Sequence, residues 1–135
     1  MQPVPINPAL LIVAALLRTV IGAVWYSPVA FGPAWMAEVG CSEAEMKGRL
    51  PKALVLDVLG NIVMTFVLIH AVRYAGAATP AQGAGVGFFN WLGFVMVAFL
   101  FTMTFEGRSF KLFALNNGFQ LLSLLIMGAI VAVWR

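Results

Sequence analysis

The stretch LLIVAALLRTVIGAV, residues 10–24, decides the fold class. It contains nine Leu, Ile or Val residues and a single charged residue, Arg18. A helix needs about 20 predominantly apolar residues to cross a hydrocarbon core of about 30 Å. This stretch lies inside such a run, which extends from about residue 8 to residue 27. The sequence therefore predicts a first transmembrane helix.

Three further apolar runs of similar length follow along the chain. They lie at about residues 53–74, 83–105 and 110–134. None shows the alternation of polar and apolar residues that is typical of a membrane β-barrel strand. The connections Gly76–Gln82 and Glu106–Ser109 are short, so consecutive helices should be antiparallel neighbours. We expect an all-α protein, a four-transmembrane-helix up-down bundle that forms a single integral membrane domain over residues 1–135.

Composition supports this class and excludes others. Of the 135 residues, 62% are hydrophobic and 10% are charged, whereas soluble domains carry about 25% charged residues. High hydrophobicity excludes a disordered chain, and Cys41 as the only cysteine excludes an internal disulfide. A formal net charge of +3 is too small to indicate nucleic-acid binding. No phosphate-binding, dinucleotide-binding or metal-binding motif predicts a cofactor.

The connection between the first two helices, Val29–Pro51, is the only segment with soluble character. Proline at positions 28 and 33 can end one helix and start another. Ser42 and Glu45 have the spacing of a capping box and predict a short amphipathic helix ahead of the second span. We expect a short interfacial helical segment here, with an irregular loop as the alternative.

The distribution of basic residues predicts the orientation. Five of them flank one side of the predicted membrane: Lys47, Arg49, Lys52, Arg108 and Lys111. Two, Arg73 and Arg135, flank the other. Because cytoplasmic flanks carry the excess of Lys and Arg, both chain termini should lie outside. Five aromatic residues near helix ends are expected to be interfacial anchors: Trp25, Tyr26, Trp35, Tyr74 and Trp134.

Polar residues within the predicted spans need partners. Arg18 lies near mid-membrane, where a central arginine costs about 2.5–3.5 kcal/mol. Asp57 and Asn61 share a face of the second helix, and Asn116 and Gln120 share a face of the fourth. Helical rise places all five at similar depths. We expect them to converge inside the bundle, either as structural contacts or as a binding or permeation site.

Two other features have a structural and a functional reading. His70 points away from the polar face of its helix, and a single histidine lacks the further ligands that a metal or haem site needs. We therefore expect an interfacial or partner-facing side chain.

Gly83 and Gly87 have the small-x-x-x-small spacing that favours close helix contact, within the chain or across an oligomer.

Two segments, Ile21–Met36 and Phe105–Trp134, carry a resemblance to a known family. The early signature comprises Gly22, Ala23, Trp25, Tyr26, Ser27, Pro28, Phe31, Gly32, Trp35 and Met36. The late one comprises Glu106, Arg108, Ser109, Asn117, Gly118, Met127, Gly128, Ala129, Ile130 and Trp134. In both, the chain resembles the bacterial domain of unknown function 1761 family of small membrane proteins. Phe119 and Gln120 stand where relatives often carry Tyr-His, so any role of that imidazole is absent or altered.

The resemblance implies a four-helix protein of a bacterial inner membrane, with no established activity. We expect a non-enzymatic integral membrane protein that acts through helix contacts, as a homo-oligomer or an accessory subunit. One alternative is a small transporter or channel that uses the polar cluster. Another is a lipid- or quinone-binding protein or enzyme at the interface, using Glu106 or Asp57. The partners expected are the lipid bilayer and other membrane helices.

Overall fold

A computed structural model describes residues 1–134 of the chain, which are 81% helical and contain no strand. The helices are α1 Pro8–Trp25, α2 Gly32–Val39, α3 Glu43–Tyr74, α4 Pro80–Asn90, α5 Val97–Glu106 and α6 Phe110–Val133. A π-helical segment, Trp91–Met96, joins α4 to α5 in one continuous helix. The all-helical prediction is therefore confirmed. Arg135, one of the two basic residues predicted outside, lies beyond the described residues.

Four helices are long and apolar enough to cross a membrane, by length and composition. They are α1, α3, the continuous helix Pro80–Glu106 and α6, with mean hydropathy between 1.6 and 2.0. Each predicted apolar run coincides with one of these four helices, although several helix ends differ from the predicted ends by a few residues. The first helix, for example, ends at Trp25 rather than near residue 27.

The segment between the first two spans contains one short helix, α2, with Pro33 in its first turn. It ends at Gly40, whose φ of 72° lies in the left-handed region that glycine adopts at a helix end. The prediction of a separate short amphipathic helix after Ser42 is wrong, because the residues after Ser42 belong to α3. The Ser42 hydroxyl accepts a hydrogen bond from the Glu45 amide at 3.1 Å, but it caps the long helix α3.

Helix α3 therefore begins ten residues before the apolar run that predicted it. Its first two turns carry good helix formers and a Glu45–Arg49 ion pair at 3.6 Å. Pro51 lies inside the helix at an exposed position, and the helix continues past it. Over 32 residues the helix extends about 48 Å, which is longer than a bilayer core.

Helix α6 is the centre of the fold, because it contacts every other helix. The buried apolar core joins α1, α3 and α6, and its largest fully buried members are Leu10, Ile69, Val72, Met127 and Val131. Near one end of this core, Arg73 of α3 donates hydrogen bonds to the Val131 and Trp134 carbonyl oxygens, both at 3.1 Å. The last turns of α3 and α6 are thus joined at the same end of the molecule.

Two glycines of α4, Gly83 and Gly87, contact α6 within the chain. Gly83 and Gly87 are buried, and the backbone of α6 at Leu124 and Gly128 leaves no room for a side chain on either. The close contact predicted from the Gly83-x-x-x-Gly87 spacing is therefore intramolecular. These glycines are not available for a contact between two copies of the chain.

Candidate functional site

Arg18 is the centre of a buried polar network. Only 3% of its surface is exposed. Its Nη1 donates a hydrogen bond to Asn61 Oδ1 at 2.6 Å, and its Nη2 donates to Gln120 Oε1. The Phe119 ring lies beside the guanidinium, with 4.7 Å between its centroid and Arg18 Cζ, a cation–π distance. The cation is thus held by side chains of α3 and α6.

Asp57 does not pair directly with Arg18. Among residues 1–134, no Arg18 nitrogen lies within 4.0 Å of its carboxylate. Instead the carboxylate oxygen Oδ2 accepts hydrogen bonds from Asn61 Nδ2 at 2.8 Å and from the Thr19 hydroxyl at 3.1 Å. Asn61 therefore lies between the two opposite charges, accepting from the cation and donating to the anion.

The geometry of Asn61 makes it the link of the network. Only 2% of its surface is exposed, and its Nδ2 also donates to Thr19 Oγ1 at 2.9 Å. An amide is suited to this position because it offers an acceptor at one end and two donors at the other. A direct salt bridge would require one side chain to reach across the space that Asn61 fills.

Asn116 lies outside this network. Its Oδ1 accepts a hydrogen bond from the Tyr26 hydroxyl at 2.7 Å, one helical turn of α6 away from Gln120. The structure thus brings four of the five predicted residues together, Arg18, Asp57, Asn61 and Gln120, and places the fifth in a separate pair.

Trp25 and Tyr26 pack against α6, which adds contacts that the prediction of interfacial anchors did not include. Trp25 Nε1 donates to the Leu115 carbonyl at 3.1 Å. Its ring lies so close to Gly118 that a Cβ there would come within 2.9 Å of it. The early and late segments that carry the family resemblance therefore meet at the junction of α1 and α6.

The remaining family-motif residues have local roles or lie on the surface. Ser27 and Pro28 form the turn after α1, where the Ser27 hydroxyl donates to the Val24 carbonyl at 2.7 Å. Glu106 and Arg108 form an exposed ion pair at 3.4 Å. Asn117 is buried and donates to the Phe113 carbonyl at 3.0 Å.

Sequence reasoning missed two residues of the network, Thr19 and Phe119. Thr19 carries the only hydroxyl group of α1, and it follows Arg18 directly in the sequence. That position was a usable signal, because an isolated hydroxyl in a predicted span also needs a partner. Phe119 carries no such signal, because a buried aromatic residue is ordinary in an apolar helix.

His70 lies apart from the network. Its Nδ1 is 2.8 Å from the carbonyl oxygen of Phe66 on its own helix, and its ring packs between the rings of Phe66 and Tyr74. Among the described residues no group of three His, Cys, Asp or Glu side chains could hold a metal ion.

Two grooves in the surface of residues 1–134 lie away from the network. One of about 450 Å³ lies between the first residues of the chain and α3, beside Arg73 and Tyr74. The other, of about 200 Å³, lies between α2, α5 and α6. Neither groove is lined by Arg18, Asp57, Asn61 or Gln120. The network joins three helices chemically, but a solute in either groove would not contact it.

Comparison with known proteins gives one match. The family described as "Protein of unknown function (DUF1761)" matches residues 10–132. No curated protein and no solved structure matches the chain significantly.

Proposed function

The chain belongs to the DUF1761 family of proteins of unknown function, and from that premise we propose that it is a non-enzymatic integral membrane protein. Its four apolar helices cross the bilayer as an up-down bundle, and it acts through contacts with other membrane helices. The observation that carries the proposal is the burial of Arg18 among side chains of three helices, inside a chain whose outer surface is apolar.

The exposed surface supports insertion into lipid. Large apolar side chains are exposed on every span, and examples are Val20, Val63, Phe94, Phe105 and Leu122. A soluble monomer rarely exposes contiguous apolar surface of this extent, whereas acyl chains solvate it readily. The same environment explains the network, because an unpartnered guanidinium in hydrocarbon is costly.

The polar network serves as a structural lock in this proposal. Its hydrogen bonds join α1, α3 and α6 and leave only Arg18 Nε unpartnered among the buried side-chain atoms of the network within residues 1–134, and neither groove is lined by its residues. These observations support a structural role of the network rather than a role in transport. Asp57 is half-buried, as are Thr19 and Gln120.

The proposed orientation places the first connection and the α5–α6 turn in the cytoplasm. The basic residues Lys47, Arg49, Lys52, Arg108 and Lys111 then lie on the inner side, as the positive-inside rule requires. The first ten residues of α3 extend beyond the apolar run at this end, which accommodates the excess length of the helix.

Labelling of single cysteines tests membrane insertion and orientation. In a Cys41→Ser background, cells or right-side-out vesicles carrying Lys47→Cys or Ala78→Cys are treated with a membrane-impermeant maleimide. Both positions are exposed in the structure. Ala78→Cys should react in intact vesicles, and Lys47→Cys should react only after lysis. Extraction of the protein by alkaline carbonate would contradict insertion, and the reverse labelling pattern would contradict the orientation.

The continuous helix Pro80–Glu106 is the span with the most free surface for partners. Only 6% of its most apolar window is buried within the chain. Because Gly83 and Gly87 are already packed against α6, we propose that contact with another helix uses the aromatic side, where Phe94 is 77% exposed. We therefore place helix–helix association on this side.

Disulfide cross-linking tests the association. In the Cys41→Ser background, Phe94→Cys in native membranes should give a cross-linked product on oxidation, and mass spectrometry identifies the partner. Val20→Cys, which is also exposed but on α1, is the matched control. Equal cross-linking of both variants, or of neither, would contradict association through this side.

A further inference from the structure

The groove of about 200 Å³ between α2, α5 and α6 has the features of an amphiphile site. We propose that it binds an anionic phospholipid of the inner leaflet, with Arg108 and Asn116 donating hydrogen bonds to the phosphate region. This inference rests on the proposed membrane topology and adds a ligand to it.

The walls of the groove are apolar and come from three elements. Trp35 lies on α2, Phe99 and Met103 on α5, and Phe113 on α6. Helix α5 contacts α6 much less extensively than α4 does, because the paired glycines lie only in α4. The gap that this leaves lies beside the lipid-facing surface, where an acyl chain could lie along the aromatic wall.

Helix α2 is held over the groove by a polar contact. The Ser109 hydroxyl donates to the Glu38 carboxylate at 2.6 Å, which ties α2 to the turn before α6. This contact fixes the position of Trp35 as a wall. The Glu38 carboxylate accepts this hydrogen bond, and Glu38 does not line the groove.

The polar groups that line the groove are mainly donors. Asn116 Oδ1 accepts from the Tyr26 hydroxyl, which leaves its amide NH2 group without a protein acceptor among residues 1–134. Arg108 uses only Nε in its 3.4 Å contact with Glu106, so both terminal nitrogens remain for a ligand. Thr102 adds a hydroxyl that donates to the Ala98 carbonyl at 3.3 Å.

The charge of the lining favours an anionic over a zwitterionic lipid. Among residues 1–134, Arg108 is the only charged residue that lines the groove, and no carboxylate does. A phosphate oxygen would accept from Arg108 in a charge-assisted hydrogen bond. A choline headgroup would bring a second positive charge close to the guanidinium, whereas a glycerol headgroup would not.

Native mass spectrometry with defined lipids tests the proposal. The protein, purified in nanodiscs, is released in the presence of phosphatidylglycerol or phosphatidylcholine with identical acyl chains. We expect about tenfold preferential retention of phosphatidylglycerol, which is the effect of one charge-assisted contact. Arg108→Gln should abolish the preference, and Phe99→Trp, which fills the groove without changing its charge, should reduce retention of the lipid.

Lys111→Gln is the matched control, because it removes the same charge close by from a residue that does not line the groove. Equal loss in Lys111→Gln and Arg108→Gln would show general attraction to basic residues and overturn the site. Equal retention of both lipids by the wild type would overturn it as well. Carbonate extraction of the same membranes distinguishes the lipid site from the proposed membrane insertion. A protein that stays in the membrane but shows no lipid preference would refute only the lipid site.

Discussion

Gly83 and Gly128 face each other so closely that their backbones are in contact. A Cβ built on Gly83 would lie 2.0 Å from the Gly128 carbonyl oxygen, and one on Gly128 would lie 2.2 Å from the Gly83 oxygen. No side chain fits between these atoms. The close approach of α4 and α6 therefore requires glycine at both positions. Backbones that approach this closely maximise van der Waals contact, which stabilises helix pairs in lipid.

We expect Gly83→Val to destabilise the protein by about 1–3 kcal/mol or more, because the added side chain forces the two backbones apart. Gly85→Val is the control, because a Cβ at Gly85 meets nothing within 4 Å. Thermal unfolding in mild detergent measures both. A melting temperature for Gly83→Val equal to that of Gly85→Val would contradict the contact.

Asn61→Leu should destabilise the protein by about 3–5 kcal/mol, because it removes the group that links Arg18 to Asp57 and leaves buried charge without compensation. Asn90→Leu is the matched control, because the amide nitrogen of Asn90 bonds only to the Val86 carbonyl of its own helix. The triple variant Arg18→Leu/Asp57→Leu/Asn61→Leu should recover much of the loss, since neither charge of the network then remains. A triple variant less stable than Asn61→Leu would contradict this view of the network.

Tyr26→Phe should cost about 1 kcal/mol, because it removes the hydrogen bond from the Tyr26 hydroxyl to Asn116 and keeps the ring. A double-mutant cycle with Asn116→Leu isolates this contact, measured by unfolding of each variant in the same detergent. A coupling energy near zero would show that the two side chains do not interact.

Ser109 has two contacts that separate variants can distinguish. Its hydroxyl accepts from the Leu112 amide at the start of α6 and donates to Glu38. Ser109→Asp keeps the cap but places a second carboxylate beside Glu38, whereas Ser109→Asn keeps the cap without the charge. We expect faster proteolysis in residues 32–39 for Ser109→Asp than for Ser109→Asn. Identical digestion patterns would show that Glu38 does not hold α2.

The sequence predicted the class of the fold from hydropathy alone, because four apolar runs of sufficient length have no other stable arrangement in lipid. The start of α3 escaped prediction for a physical reason. Hydropathy detects where a helix enters the apolar layer, whereas Ser42 and the residues after it determine where the helix begins. The π-helical segment Trp91–Met96 carries no pattern that distinguishes it from the α-helix on either side.

The network shows a similar division. Helical spacing placed Asp57 and Asn61 on one face, and depth placed both near Arg18, but periodicity carries no information on which side chain fills the space between two others. Asn116 shares a face with Gln120, yet α1 ends near it at Trp25, so the group within its reach is Tyr26. The positions were predictable from periodicity, whereas the partners depended on three-dimensional packing.

The central position of α6 has a consequence for biogenesis. If the chain inserts into the bilayer as proposed, Arg18 emerges before Gln120 and Phe119 have been made, because α6 is the last helix of residues 1–134. Until then Asn61 is, among residues 1–134, the only hydrogen-bond partner of Arg18 on another helix. Nascent chains that stall before α6 would therefore present an incompletely shielded cation, a mark by which membrane quality control can recognise them.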